Sequence, residues 1–208
     1  MKGRIFLYFV AFCMLGLFLP SPSDSDIRAT VRQNDSATVN RCKKYLPTVI
    51  REARYHIGIS APVHYFMGQI EQESRCNEGA TAFDGGMGLG QIMPETAKEL
   101  HRKYPELREL AFNPYDPKWN IRAMILYDRA CYREVICQDW YFAFRAYNGG
   151  VGNINREINI AKTCNYEDVE KVCKRGKKGR LDLCKLNIEY PYKIFERSRK
   201  YELVVVSH

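Results

Sequence analysis

Val63-His64-Tyr65-Phe66-Met67-Gly68-Gln69-Ile70-Glu71-Gln72-Glu73-Ser74 decides the fold class. Val63, Phe66, Met67 and Ile70 fall at i, i+3, i+4 and i+7, the stripe of a helix that buries one face. Ser60 is placed to cap this helix, with Pro62 in its first turn. Upstream, Leu46, Val49, Ile50 and Ala53 give the same period over 45–56, and Gly58 supplies a stop. Downstream, the pattern predicts helices over 96–104, 119–132, 139–146 and 192–201. Asn113-Pro114-Tyr115-Asp116-Pro117 reads as the turn that opens the second of these. Alternation of the strand type is confined to residues 203–206. The chain reads as mainly α-helical, in a single domain.

Hydrophobic residues make up 46% of the 208, enough for a real core without repeats or metal. Lys2 and Arg4 precede an apolar stretch over 5–19, and Pro20-Ser21-Pro22-Ser23 ends it. That is the plan of a secretory signal peptide, 1–23, shorter than the roughly 20 apolar residues a membrane span needs. An uncleaved anchor is the alternative; otherwise the membrane is met only transiently. Residues 24–40, rich in Ser, Thr, Asp and Asn, read as a flexible leader, and 41–208 as the domain proper. The net charge is +8, and loss of Lys2 and Arg4 leaves +6. A basic surface suits anionic polymers. Export argues against nucleic acid, as does the lack of a phosphate loop or of basic–aromatic interleaving.

Seven cysteines lie beyond the expected signal: Cys42, Cys76, Cys131, Cys137, Cys164, Cys173 and Cys184. None has CxxC spacing, and His56, His64, His101 and His208 are scattered, so disulfides are expected and neither metal nor cofactor. The odd number leaves at least one thiol out. The short separation of Cys131 and Cys137 makes them the first expected pair. The stretch 162–185 surrounds Lys174-Arg175-Gly176-Lys177-Lys178-Gly179-Arg180 with three cysteines. It reads as a solvated loop or as a disulfide-stapled basic flap.

The chemistry centres on Glu73. On a helical wheel, Glu73 lies roughly 70° from the centre of the apolar stripe and Glu71 roughly 90° on the other side. Angle alone barely separates them, and both could be solvated. Glu73, however, closes the helix where the chain turns, so its carboxyl can enter a cleft while its stem packs on Phe66 and Ile70. A half-buried acid holds its proton near neutrality, as general-acid catalysis requires. Gly85-Gly86-Met87-Gly88-Leu89-Gly90-Gln91 follows. It is either a mobile surface turn or a backbone-lined wall that admits a bulky sugar, with Met87 as platform and Gln91 as hydrogen-bonding group. Ala146-Tyr147-Asn148-Gly149-Gly150 is either a helix stop or a third element of the same cleft. Trp119 and Trp140, at helical positions, read as core.

These three segments, in this order, resemble the soluble-lytic-transglycosylase domain family, lysozyme-like enzymes that cut bacterial cell-wall glycan. The resemblance runs from about Tyr45 to Tyr192. Gly88-Leu89-Gly90-Gln91-Ile92-Met93-Pro94-Glu95-Thr96-Ala97 is similar to the family's Gly-Leu-Met-Gln…Met-Pro-x-Thr-Ala signature, with Gly90 in place of Met. Ala82 stands where a serine often lies near the acid. The resemblance implies a goose-type lysozyme architecture, with Glu73 catalytic and with Ser74, Met87, Gly88, Gln91, Tyr147 and Asn148 binding substrate. Glu189-Tyr190-Pro191-Tyr192 is similar to the family's Glu-Thr-x-x-Tyr element, off by one residue, which makes Tyr192 its tyrosine. The implied partner is the peptidoglycan glycan strand, met by a monomer in the periplasm or outside the cell.

The resemblance also implies a reaction with one acid. Glu73 protonates the bond between N-acetylmuramic acid and N-acetylglucosamine, then removes the proton of the muramic 6-hydroxyl to close a 1,6-anhydro ring. A hydrolase on the same scaffold, with Asp84 or another acid activating water, is the alternative. An inactive glycan-binding module is the third reading.

Overall fold

The computed structural model describes residues 36–174, 176–178 and 181–202. The expected signal segment and the 203–206 strand lie outside them. Residues 36–43 form helix α1, so the expected flexible leader gives way to helix before residue 40. There follow α2 (Leu46–His56), α3 (Val63–Ser74), α4 (Pro94–Lys103), the single turn α5 (Pro105–Arg108) and α6 (Pro117–Glu134). Then come α7 (Trp140–Gly149), α8 (Val151–Ala161), α9 (Tyr166–Lys171), a two-residue antiparallel pair β1 (Lys177–Lys178) and β2 (Leu181–Asp182), and α10 (Leu183–Ser198). The mainly α-helical expectation holds.

The local sequence explains most boundaries. Pro94 and Pro117 open α4 and α6, where a missing N–H costs nothing. Asp116, at the end of the expected turn, caps α6 by accepting from the Trp119 amide at 2.8 Å. Asp139 caps α7 in the same way, from Tyr141 N at 2.7 Å. Gly150, at φ +84°, separates α7 from α8, a backbone shape that glycine adopts freely. Helix α8 was not expected, although Ile154 and Ile158 have the spacing of a buried face and are buried. The last helix begins nine residues before the expected start, because Asp182 caps it and it runs through Pro191. A proline inside a helix forfeits one hydrogen bond, and here packing against α3 and α7 outweighs that loss.

Helix α3 is the central element. Val63, Phe66, Met67 and Ile70 are buried as expected and join Ile121, Met124 and Ile125 of α6 in the main core. A second cluster gathers Cys131, Val135, Tyr141, Phe142, Ile154 and Ile158 beneath α7 and α8. Trp119 is fully buried. On its other side α3 meets α10 so closely that a Cβ on Gly68 would lie 2.5 Å from the Ile194 carbonyl oxygen and 2.9 Å from the Ser198 nitrogen. Glu71 belongs to this contact. It is buried, accepting from Lys200 Nζ at 2.8 Å and from Tyr201 Oη at 2.5 Å. The two glutamates that the wheel could not separate thus have different places.

Three disulfides join Cys42 to Cys76, Cys137 to Cys164 and Cys173 to Cys184. The expected Cys131–Cys137 pair does not form. Cys131 lies on the inward face of α6, a buried free thiol, while Cys137 emerges past the helix end and meets Cys164. The pair within 162–185 staples Cys173 to Cys184 around the short hairpin.

Two measurements follow. In an open helix, Gly68→Ala would gain about 1 kcal/mol. Here the new methyl meets backbone, and overpacking of that kind costs about 1–3 kcal/mol. Urea unfolding should therefore show Gly68→Ala destabilised. Peptide mapping without reductant should recover the three crosslinks, with Cys131 the one thiol among residues 36–202 that is alkylated, and only after denaturation.

Candidate active site

Glu73 stands in the last turn of α3, which ends because Arg75 and Cys76 turn into the left-handed region at φ +50° and +60°. The disulfide to Cys42 and a bond from Arg41 Nε to Arg75 O at 2.9 Å hold that reversal. The Glu73 side chain is crowded by protein yet keeps some contact with solvent. Burial pushes its pKa up to about 7 from 4.5; a hydrogen bond from Tyr190 opposes the rise, and the Asp84 charge adds to it. Near neutrality the carboxyl group therefore divides between acid and base. No Lys, Arg or His forms an ion pair with it among the described residues.

Tyr190, not Tyr192, donates to Glu73. Tyr192 is two positions on, 46% exposed, and its hydroxyl bonds Glu170 at 2.9 Å. A helical step of two residues is roughly 200°, so only one of the two tyrosines can face α3. The sequence pattern started this helix at residue 192; because α10 runs through Pro191, Tyr190 lies on the inner face.

The glycine-rich segment is a built wall rather than a free turn. Met87 bridges both Thr81 and Ile92. Behind it, buried Asn120 of α6 ties the loop at two points and the turn before α6 at a third. It donates to Met87 O at 3.0 Å and to Pro114 O at 2.7 Å, and accepts from Gly90 N at 2.7 Å. Gly88, at φ +69°, is buried; its Cβ would lie 2.5 Å from Asn120 Nδ2 and from Pro114 O. Its glycine thus serves the close approach of α6, whereas the sequence suggested a sugar. Gln91, itself at φ +49°, folds its amide back to Gly88 O at 2.7 Å and Ala80 O at 3.2 Å.

The third segment crosses to the same place. Tyr147 at the end of α7 donates to Gly90 O at 2.7 Å and lies parallel to Tyr190, with ring centres 6.5 Å apart. Asn148 is exposed and is held through Oδ1 by Asn187 Nδ2 at 3.0 Å. Asn187 in turn bonds Arg145, which forms a buried pair with Glu157 at 2.6 Å. That cluster locks α7, α8 and α10 together. Ser74 Oγ returns to Ile70 O at 3.1 Å, within its own helix. Ala82 is exposed on the loop that carries Asp84.

The structure thus gathers Glu73, Met87, Gly88, Gln91, Tyr147 and Asn148 around one end of α3 and leaves Ser74 and Tyr192 on other bonds. Sequence reasoning missed Tyr190, Asn120, Gln69 and Asp128. The last three carried a signal: each is a polar residue in phase with the buried face of its helix.

The family model for the transglycosylase SLT domain matches residues 50–169. The chain belongs to that family. The match stops short of Tyr190, so the hydroxyl that meets Glu73 comes from a helix beyond the matched residues. Its fold is similar to that of the 70-kDa soluble lytic transglycosylase of Escherichia coli, with 20% identity, a TM-score of 0.61, and coverage of 77% of this chain and 24% of that one. A complex of the 70-kDa soluble lytic transglycosylase with bulgecin A gives 20% identity, a TM-score of 0.58 and the same coverage. The chain spans about a quarter of the length of those proteins, and at this identity the likeness is one of fold.

The raised acid makes stability depend on pH. Glu73 holds its proton more tightly folded than unfolded, so the stability this proton supplies is complete below about 4.5 and is lost as pH rises through about 7. Glu73→Gln carries no such charge. At pH 8 it should be more stable than the native protein by up to about 3 kcal/mol, and the gain should vanish at pH 4.5. Urea unfolding at the two pH values measures this.

Proposed function

We propose that this SLT domain is an exported lytic transglycosylase that cleaves the β-1,4 bond between N-acetylmuramic acid and N-acetylglucosamine in peptidoglycan and leaves 1,6-anhydro ends. The observation that carries the reading is a single carboxyl group, Glu73, with its pKa near 7 at the foot of a wall made by the glycine-rich loop and Tyr147.

In this reading Glu73 first donates its proton to the bridging oxygen as the C1–O bond breaks. The carbonyl oxygen of the substrate's own N-acetyl group bonds to C1 and takes up the positive charge. Glu73, now a carboxylate, accepts the proton of the 6-hydroxyl, whose oxygen displaces the acetamido oxygen from C1. The proton returns to Glu73, no water is consumed, and the enzyme ends as it began. One group serves both steps best when its pKa lies close to the working pH. Tyr190 stabilises the carboxylate between the steps by its hydrogen bond. Met87 and Asn148 are the groups we assign to sugar contact, while Gly88, Gln91 and Tyr147 hold the wall in shape.

Hydrolysis by the same scaffold needs a second acid to activate water. Asp84 is the exposed carboxylate whose charge reaches Glu73, and it makes no hydrogen bond to it. Export fits the three disulfides, which persist in oxidising compartments. Among the described residues no helix is long and apolar enough to cross a membrane.

Glu73→Gln should fold and lose about 10²–10⁴-fold in turnover on purified peptidoglycan. Mass spectrometry of the soluble products should find anhydro ends from the native protein and from Asp84→Asn alike. Reducing ends from the native protein, abolished by Asp84→Asn, would identify a hydrolase.

A further inference from the structure

A second carboxyl group lies behind Glu73, and the reaction above does not use it. Asp128 sits on the inner face of α6 and is fully buried. No cation pairs with it among the described residues; its Oδ1 accepts from Gln69 Nε2 at 3.2 Å and its Oδ2 meets no hydrogen-bond partner. Gln69, also fully buried, directs the same Nε2 to the Tyr190 hydroxyl at 3.4 Å. Tyr190 donates to Glu73 Oε1. Asp128, Gln69, Tyr190 and Glu73 thus form one line from α6 through α3 and α10 back to the end of α3.

The directions in this line follow from Gln69 presenting its Nε2 to both neighbours. The Gln69 amide has two hydrogens in a fixed plane. Asp128 accepts one, which orients the other toward the Tyr190 oxygen. A hydroxyl that accepts there must send its own single hydrogen elsewhere, and Glu73 lies in that direction. Take Asp128 away and Gln69 has no reason to hold this orientation, so Tyr190 is no longer aimed.

We propose that Asp128 is a positioning residue, which through Gln69 aims the Tyr190 hydroxyl at Glu73 and so sets the balance between the acid and base forms of Glu73. The proposal rests on Glu73 being the acid of the reaction. Asp128 acts in its neutral form. A buried carboxylate without a cation is costly and takes a proton instead. Burial drives Asp128 well above the usual carboxylate range, against the Gln69 bond and with the help of the nearby Glu73 charge.

The other groups facing this line are Tyr147 of α7, Tyr127 and Cys131 of α6, and Asp84 of the loop. Glu99, Glu134 and Lys103 act on Tyr127 or Cys131 at the edge. From α2, Glu52 and His56 pair with each other, and Glu52 with Arg122 of α6. None of these supplies the hydrogen bond that Gln69 gives to Tyr190.

The test is the pH profile of kcat/KM on purified peptidoglycan, together with carbon-13 NMR titration of labelled Asp and Glu carboxyl groups in the same proteins. Asp128→Asn keeps an acceptor for Gln69 and adds no charge, so the Glu73 titration and the falling limb of the profile should stay where they are. Asp128→Leu and Gln69→Leu remove the link, and a hydrogen bond to a charged group is worth enough to move both upward by about one pH unit. A downward move in Asp128→Asn would show that Asp128 acts as a charge and would overturn the proposal. So would a folded Asp128→Leu or Gln69→Leu in which Glu73 titrates as in the native protein. Should Asp128→Leu fail to fold, Gln69→Leu decides. The NMR titration decides the positioning role even if no protein cleaves peptidoglycan, a result that would refute the catalytic reading alone.

Discussion

The close approach of α3 and α10 at Gly68 is the constraint on which the site depends. With no side chain at that position, the Ile194 carbonyl comes within 2.5 Å of where a Cβ would stand. At that separation Tyr190 of α10 reaches the carboxyl of Glu73 at the end of α3. Glu71 fastens the far end of the same contact to Lys200 and Tyr201. Along one helix, the glycine permits the approach, one glutamate secures it, and the other receives its chemical benefit.

The electrostatic character of the site follows from what this packing leaves out. Glu73 and Asp128 face tyrosines and an amide, and no cation pairs with either among the described residues. Desolvation without a compensating positive charge raises the pKa of a carboxyl group. Glu52 is the contrast within the same molecule. Its carboxyl is also taken out of water, and burial alone would raise it, yet His56 and Arg122 bond it and bring its pKa down to about 2. The two glutamates thus end about five pH units apart, because one has guanidinium groups beside it and the other has a hydroxyl.

The wall opposite is rigid for a different reason. A stretch with four glycines in seven positions has high conformational entropy when free. Asn120 offsets that cost by meeting three backbone groups of the loop and its neighbour, and Gln91 and Tyr147 meet three more carbonyls, those of Gly88, Ala80 and Gly90. The glycines allow the backbone to come near α6; the amides and the hydroxyl then hold it there. The same construction explains why Gly88 lies against Asn120 and why the Gln91 amide folds back on carbonyls of its own loop.

The sequence by itself determined the helical class, the stripe of α3, and the caps and prolines that open α4, α6 and α7; that Glu73, the glycine-rich loop and Tyr147 come together was implied by the family resemblance. These are written in periods and short motifs, which act over a few residues. It did not determine which tyrosine meets Glu73, or which cysteines pair. Glu71 and Glu73 lie at similar angles on a wheel; position at the helix end singled out Glu73, and the arrival of α10 gives each its partners. Tyr190 and Tyr192 flank a proline after which the sequence pattern started the helix, and tertiary packing carries the helix through it. Cys131 is close to Cys137 in sequence but points into the core. Each of these choices depends on contacts between elements distant along the chain, which no local pattern records, and so the tertiary structure decides them.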